Sequence, residues 1–252
     1  MGEYLCAMKD NFSKQSGIYA KYRPGYPPAL FDCIINQVEN KETAWDCGTG
    51  NGQAAKELSR SFQKVFATDI SQKQIDRAFQ KGNIIYSIQP AEQTNFRDNN
   101  FDLVTVAQAL HWFRFDEFYA EVKRVTKQGG IFAGWTYSLL SISDTINKLI
   151  GDHHYHTLGG YWDDERKYVD DQYRNIPFPF SKINTPVFTM DYNWTIEELE
   201  GYLNTWSALQ KFIRKNNFNP VDELVLRIKP FWNQERMRVG FPVHLLMGRV
   251  EK

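Results

Sequence analysis

The feature that most constrains this chain is a seven-residue loop, Asp46-Cys47-Gly48-Thr49-Gly50-Asn51-Gly52. It lies between a short apolar segment, AWDCG (44 to 48), and a segment whose Ala54, Ala55, Leu58 and Phe62 recur at helical spacing. Glycines at a strand-to-helix turn permit a tight reversal and close approach of a ligand to the backbone. The helix that follows offers unpaired N–H groups. A dinucleotide loop would read GxGxxG, but the sixth position here is Gln53. Asp46 departs from that pattern too, because a carboxylate repels a pyrophosphate and attracts an ammonium or sulfonium. A second acid, Asp69, closes the next strand-like segment, KVFATDI (64 to 70), where a carboxylate can accept hydrogen bonds from both hydroxyls of a ribose. The loop therefore points to a ligand that joins a nucleoside to a cation.

The loop opens a run of alternating patterns. SQKQIDRAFQKG (71 to 82) reads as a helix with Ser71 as N-cap and Gly82 as its stop. NIIYSIQ (83 to 89) and FDLVTVAQA (101 to 109) read as a third and fourth strand. FDEFYAEVKRV (115 to 125) is a helix with Phe115, Phe118, Tyr119, Val122 and Val125 on one face, and GGIFAGWTY (129 to 137) is a fifth strand. Such alternation implies right-handed crossovers and a parallel sheet covered on both faces. KINTPVFTMDYNWT (182 to 195) and VGFPVHLLMGRV (239 to 250) are two late strands, each with a proline suited to an edge or a strand start, and one helix is expected over 195 to 215. The predicted organisation is N-terminal cap helices over 1–43, a core over 44–137, an insertion or lid over 138–181, and the last two strands with a helical insertion over 182–252.

With 30 Lys plus Arg against 30 Asp plus Glu the chain is formally neutral, which disfavours a nucleic-acid partner. Cys6, Cys33 and Cys47 are odd in number and widely spaced, so no disulfide framework is expected and a reducing, cytoplasmic setting fits. The most apolar window, 129 to 142, is broken by Thr136, Ser138 and Ser141 and is too short for a bilayer of roughly 30 Å, so no membrane partner is expected. Aromatic residues reach 15%, and many of them fall outside 44–137.

DCGTGNG (46 to 52), ATDIS (67 to 71), PAE (90 to 92), FDLVTVAQALHWF (101 to 113) and the strand at 129 to 137 together resemble the class I S-adenosylmethionine-dependent methyltransferases, over about residues 44 to 137. ALHWF and YAKYRPGYP (19 to 27) are similar to the methyltransferase type 11 branch that includes trans-aconitate methyltransferases. The resemblance implies an α/β, Rossmann-like sheet of seven mostly parallel strands, with helices on both faces and a helical, aromatic-rich lid. It implies S-adenosylmethionine as cofactor and S-adenosylhomocysteine as product. Asp46 would hold the methionine ammonium directly or through water, with the backbone of Gly48 and Gly50 beneath the ligand. Asp69 would bind the ribose, Ile70 would pack on adenine, Ala91 and Glu92 would border the adenine edge, and Gln108 would line the methionine side. Pro90 stands where many relatives carry Asp, so the adenine amino group is left to backbone or to Glu92.

His111 follows the fourth strand and reads either as a general base or substrate hydrogen-bond donor, or as a satisfied lip histidine. Trp112 reads as a pocket wall. Arg23, with Tyr19 near it, would fork onto a carboxylate of substrate or cofactor, or is a surface arginine. Asp152-His153-His154-Tyr155-His156 has no cysteine near it and is read as a loop without metal; KRVTK (123 to 127) is read as a solvated helix face. The expected reaction moves a methyl group to a small, partly apolar acceptor under an aromatic lid, with carboxylates among the candidates, in a monomer or homodimer. The rival readings are an NAD-dependent oxidoreductase and a non-catalytic S-adenosylmethionine-binding protein.

Overall fold

The computed structural model describes residues 25–252. The expectations for Tyr19 and Arg23 lie outside the described residues. Eight strands form one sheet: β1 Thr43–Cys47, β2 Lys64–Asp69, β3 Ile84–Ile88, β4 Phe101–Ala107, β5 Thr126–Tyr137, β6 Ser181–Ile183, β7 Phe188–Trp194 and β8 Met237–Arg249. Their order is β3-β2-β1-β4-β5-β8-β6, with β7 paired to β8 off that path. β1 to β5 pair in parallel, while β8 runs antiparallel to both β5 and β6. This is the mostly parallel, Rossmann-like architecture expected, with seven strands along its path and an eighth, β7, from the division of one expected late strand in two. β1 and β4 are apolar and buried on both faces, as central parallel strands must be.

The chain forms two compact units. Among the described residues, the larger comprises Gly25–Leu139, Glu165–Met190 and Phe241–Lys252, and the smaller Leu140–Asp164 and Asp191–Gly240. In the larger unit, helix α1 is Pro28–Ile35, α2 Gln53–Leu58, α3 Gln72–Ile75, α4 Phe115–Val125 and α6 Arg166–Asp170. In the smaller, α5 is Asp144–Asp152, α7 Ile196–Leu203, α8 Ser207–Asn216 and α9 Pro220–Ile228. The larger unit's core has two ring clusters. Trp45, Phe96 and Phe101 pack against one another, and Phe132 meets Phe118 and Tyr119 of α4 together with Phe178 and Phe180. In the smaller unit, His154, Trp162 and Trp206 form their own aromatic cluster, beside a mostly buried Asp163–Lys211 ion pair of 2.7 Å.

Several expectations are corrected. The helix over 71–82 stops after α3, because the Phe79 N–H instead donates to the Asn51 carbonyl and the Phe79 carbonyl accepts the Tyr86 hydroxyl. The strand over 182–195 is divided by Pro186 into β6 and β7. Pro242 falls inside β8 rather than at its end, where its carbonyl accepts the Ser138 N–H. The helix over 195–215 breaks between α7 and α8, where Asn204 and Thr205 side chains bond the Glu200 and Tyr202 carbonyls. The stretch 138–181 is shared between the two units, so Tyr173, Phe178 and Phe180 belong to the core rather than to a separate insertion. KRVTK is a solvated face only at Lys123, which is exposed. Arg124 pairs with Glu121 and Asp98 and donates to two backbone carbonyls, and Lys127 bridges Glu42 and Asp102, each at 2.8 Å.

Candidate active site

The carboxyl ends of β1, β2 and β4 bring the glycine loop, Asp69 and Gln108 to one edge of the sheet. Gly48, Gly50 and Gly52 all take left-handed backbone (φ 66°, 55° and 81°). A Cβ on Gly48 would lie 2.7 Å from Ala109 Cβ, and one on Gly52 would collide with the Tyr86 hydroxyl. Those two glycines are required by the fold itself. Gly50 differs: a Cβ there would meet nothing within 4 Å, although its N–H donates to Asp69 Oδ2 at 2.8 Å. The backbone at Gly50 thus presents an open cradle.

Asp46 is fully buried. Its Oδ2 accepts the Thr49 hydroxyl (2.5 Å) and the Ala55 N–H (3.1 Å), and its Oδ1 accepts the Thr105 hydroxyl (2.9 Å). Three donors from the loop, from α2 and from β4 therefore converge on one carboxylate, which ties the loop to the sheet. Burial nevertheless pushes its pKa up to about 6, against the pull of those hydrogen bonds and with a small push from Asp69. A cation brought near it would offset that penalty.

Asp69 also accepts the Ser71 N–H on Oδ1 at 2.9 Å. An ionised carboxylate at a strand's end is an acceptor of the kind that ribose hydroxyls require. Ile70 follows it, half-buried, and Ala91 is buried. Glu92 is buried as well: Oε1 accepts the Arg114 N–H at 3.1 Å, while Oε2 is enclosed with no partner among the described residues. A buried acceptor of that kind awaits a donor such as an exocyclic amine. The open cradle, the paired acids and this orphaned oxygen fit S-adenosylmethionine.

Gln108 is held at φ 58°, its N–H donating to the Trp135 carbonyl and its Oε1 accepting the Thr136 hydroxyl at 2.8 Å. A left-handed non-glycine residue at a strand's carboxyl end is strain that its surroundings must enforce. His111 and Trp112 sit in a 3₁₀ turn just beyond, their rings 4.9 Å apart. His111 is buried, and its Nδ1 is 2.9 Å from the Tyr173 hydroxyl. Gln172 and Tyr173 are both left-handed (φ 61° and 62°), a rare pairing that delivers the tyrosine to the imidazole. Burial, then the Arg166 charge, lowers the His111 pKa to about 3, and burial raises that of Tyr173. The pair is neutral and hydrogen-bonding at physiological pH, and His111 is a weak base there.

Sequence reasoning missed Thr49, Thr105, Thr136 and Tyr173. Thr49 lies within the loop and was legible as a hydroxyl three residues from Asp46; Tyr173 is 62 positions from His111, with no local signal. Among the described residues no cluster of His, Cys, Asp or Glu is arranged to hold a metal, and no helix is long and apolar enough to cross a membrane.

Residues 45–134 match the family model described as a methyltransferase domain. A protein of Dictyostelium discoideum named as a methyltransferase is 32% identical, over 96% of this chain and 95% of its own length. A Saccharomyces cerevisiae protein described as a probable S-adenosylmethionine-dependent methyltransferase is 26% identical, over 92% and 93%. Among solved structures, one described as a type II methyltransferase from Anaeromyxobacter dehalogenans superposes with a TM-score of 0.85 at 33% identity, covering 91% of this chain and 99% of its own.

Proposed function

This chain belongs to the class I S-adenosylmethionine-dependent methyltransferases, and on that premise we propose that its acceptor is a small molecule and that the loop at β1, with the ends of β2 and β4, holds the cofactor. The observation that carries the site assignment is Gly50, left-handed, tied to Asp69 and open on the side its missing Cβ would occupy. Gly48 and Gly50 give close backbone approach, and Asp69 receives the ribose hydroxyls. Ile70 and Ala91 flank the adenine, Glu92 Oε2 accepts its amino group, and Gln108 borders the methionine. Asp46 acts through the loop it ties and through its charge, at the ammonium end. Membership of the family sets aside the oxidoreductase reading that Gln53 and Asp46 already disfavoured.

When bound, S-adenosylmethionine supplies a methyl group already activated by its sulfonium, ready for in-line displacement. The protein's tasks are then to orient the acceptor and exclude water. A carboxylate acceptor needs no base, and ALHWF places such acids among the first to test. A hydroxyl or amine needs one, and His111, buried, hydrogen-bonded and acidic as an imidazolium, is a hydrogen-bonding group rather than that base. Calorimetric titration of S-adenosylmethionine into wild type, Asp69→Ala and Glu92→Gln tests the site. Affinity should fall at least tenfold in Asp69→Ala, the loss of one charge-assisted hydrogen-bond pair; wild-type affinity there would sink the assignment.

A further inference from the structure

One polar pair next to this site is left unused by the roles above. On the antiparallel pair β5 and β8, Thr136 stands opposite His244, so their side chains share a face. The ladder continues past β5, the Ser138 N–H donating to the Pro242 carbonyl at 2.9 Å. Ser138, two residues on from Thr136, returns to that same face, and its Oγ lies 2.6 Å from His244 Nε2. Thr136 donates to Gln108 Oε1. A row of polar groups therefore runs from the methionine side of the site across β4, β5 and β8. His244 is half-buried, faced by Thr136 and Ser138 and by the charge of Arg174, whose own partner is Asp171. Burial, then Arg174, holds its imidazole below the usual histidine range, which leaves the ring neutral at pH 7, with one of its two nitrogens unprotonated.

We propose that Ser138 and His244 form the acceptor-activating pair of the enzyme, Ser138 Oγ receiving an acceptor O–H or N–H and His244 Nε2 taking up the proton. The proposal rests on the cofactor site described above and narrows the acceptor to a protic molecule, a hydroxyl or an amine, in place of a carboxylate. As the acceptor's oxygen or nitrogen bonds the methyl carbon, the carbon–sulfur electron pair departs with sulfur. The acceptor proton passes to Ser138 Oγ while the serine's own proton passes to Nε2. The resulting imidazolium returns its proton to water, so the positive charge lost at sulfur leaves as a solvated proton.

S-adenosylhomocysteine release is measured over a panel of phenols, alcohols, amines and carboxylic acids, for wild type, Ser138→Ala, His244→Ala and His244→Gln. Turnover is expected with protic members, with kcat about 100-fold lower in His244→Ala, the usual share of a general base. Acceptor KM and cofactor affinity by calorimetry should change little, and added imidazole should restore part of the rate to His244→Ala alone. A second reading needs no turnover: 4-nitrophenol bound with S-adenosylhomocysteine should ionise at lower pH on wild type than on His244→Ala, seen in its phenolate absorbance. If His244→Ala loses cooperative melting, His244→Gln, similar in size but without a titrating ring, carries both comparisons. Turnover confined to carboxylic acids, none with any protic member, or kcat undiminished in both His244 variants overturns the proposal. Failure of the wild type to bind S-adenosylmethionine would instead overturn the cofactor site, and calorimetry tells the two apart.

Discussion

Gly48 and Gly50 share a left-handed backbone but not a neighbourhood, and the difference separates stability from binding. Gly48→Ala drives a methyl into Ala109 as well as straining the backbone, so a loss of about 2–4 kcal/mol is expected, read as a lower denaturation midpoint without any ligand. Gly50→Ala meets no atom and should cost only about 1–2 kcal/mol of backbone strain, yet its methyl occupies the cradle. That variant should melt near wild type and lose most of the stabilisation that S-adenosylmethionine confers; full retention would move the ligand elsewhere. Asp46 gives a signed prediction in pH. Its folded pKa of about 6 is above the unfolded value of 3.8, so the folded state keeps a proton the unfolded chain has lost, and stability from this group falls as pH rises from about 4 to 6. A bound cation favours the ionised form, so cofactor binding near pH 6 should release part of a proton. Calorimetry in two buffers of different ionisation heat would show this as a buffer-dependent enthalpy, absent in Asp46→Asn.

The elements show what a sequence carries and what it does not. α4 was legible in its bounds, and Phe118, Tyr119, Val122 and Val125 are buried where the spacing of apolar positions put them, with Phe115 at its start half-buried. β1 and β2 were equally plain as apolar runs ending in an acid ahead of helix patterns, and β4 as a mostly apolar run ahead of the 115–125 helix. The capping pattern of Thr195 and Glu198 is present on both sides, the Thr195 N–H donating to Glu198 at 2.8 Å and the Glu198 N–H to Thr195 Oγ1 at 3.3 Å. Thr195→Ala should cost about 1 kcal/mol in denaturant unfolding, and no change at all would mean that α7 is held by packing alone. What escaped were features settled by distant partners. α3 ends early for bonds to Asn51 and Tyr86, α7 and α8 part where Asn204 and Thr205 turn onto the chain's own carbonyls, and Tyr173 reaches His111 through two left-handed residues that no pattern announces. The glycine loop and both acids were readable because neighbours in sequence make them. Thr105, Thr136, Ser138 and His244 join the same edge only through strand order.

At the scale of the whole molecule, a ligand that binds the folded larger unit and not the unfolded chain must stabilise it by mass action. At about a hundredfold excess over Kd the gain is about 2.7 kcal/mol, or a rise of roughly 5–10 °C in Tm for a chain of this size. S-adenosylmethionine and S-adenosylhomocysteine should both produce it and NADH should not. A shift with NADH of the same size would reopen the nature of the ligand. The aromatic surplus divides between the two units, one set of rings enclosing Phe132 and another enclosing Trp206. The larger unit is also assembled from three stretches of chain, and its strand β8 lies between β5 and β6 although it is the last to be made. During synthesis β5 therefore emerges more than a hundred residues before its antiparallel neighbour, with only β4 beside it. Until Phe241–Lys252 follows, the apolar stretch 131–137 of β5 carries an open hydrogen-bonding edge, the kind of edge at which unfinished chains associate.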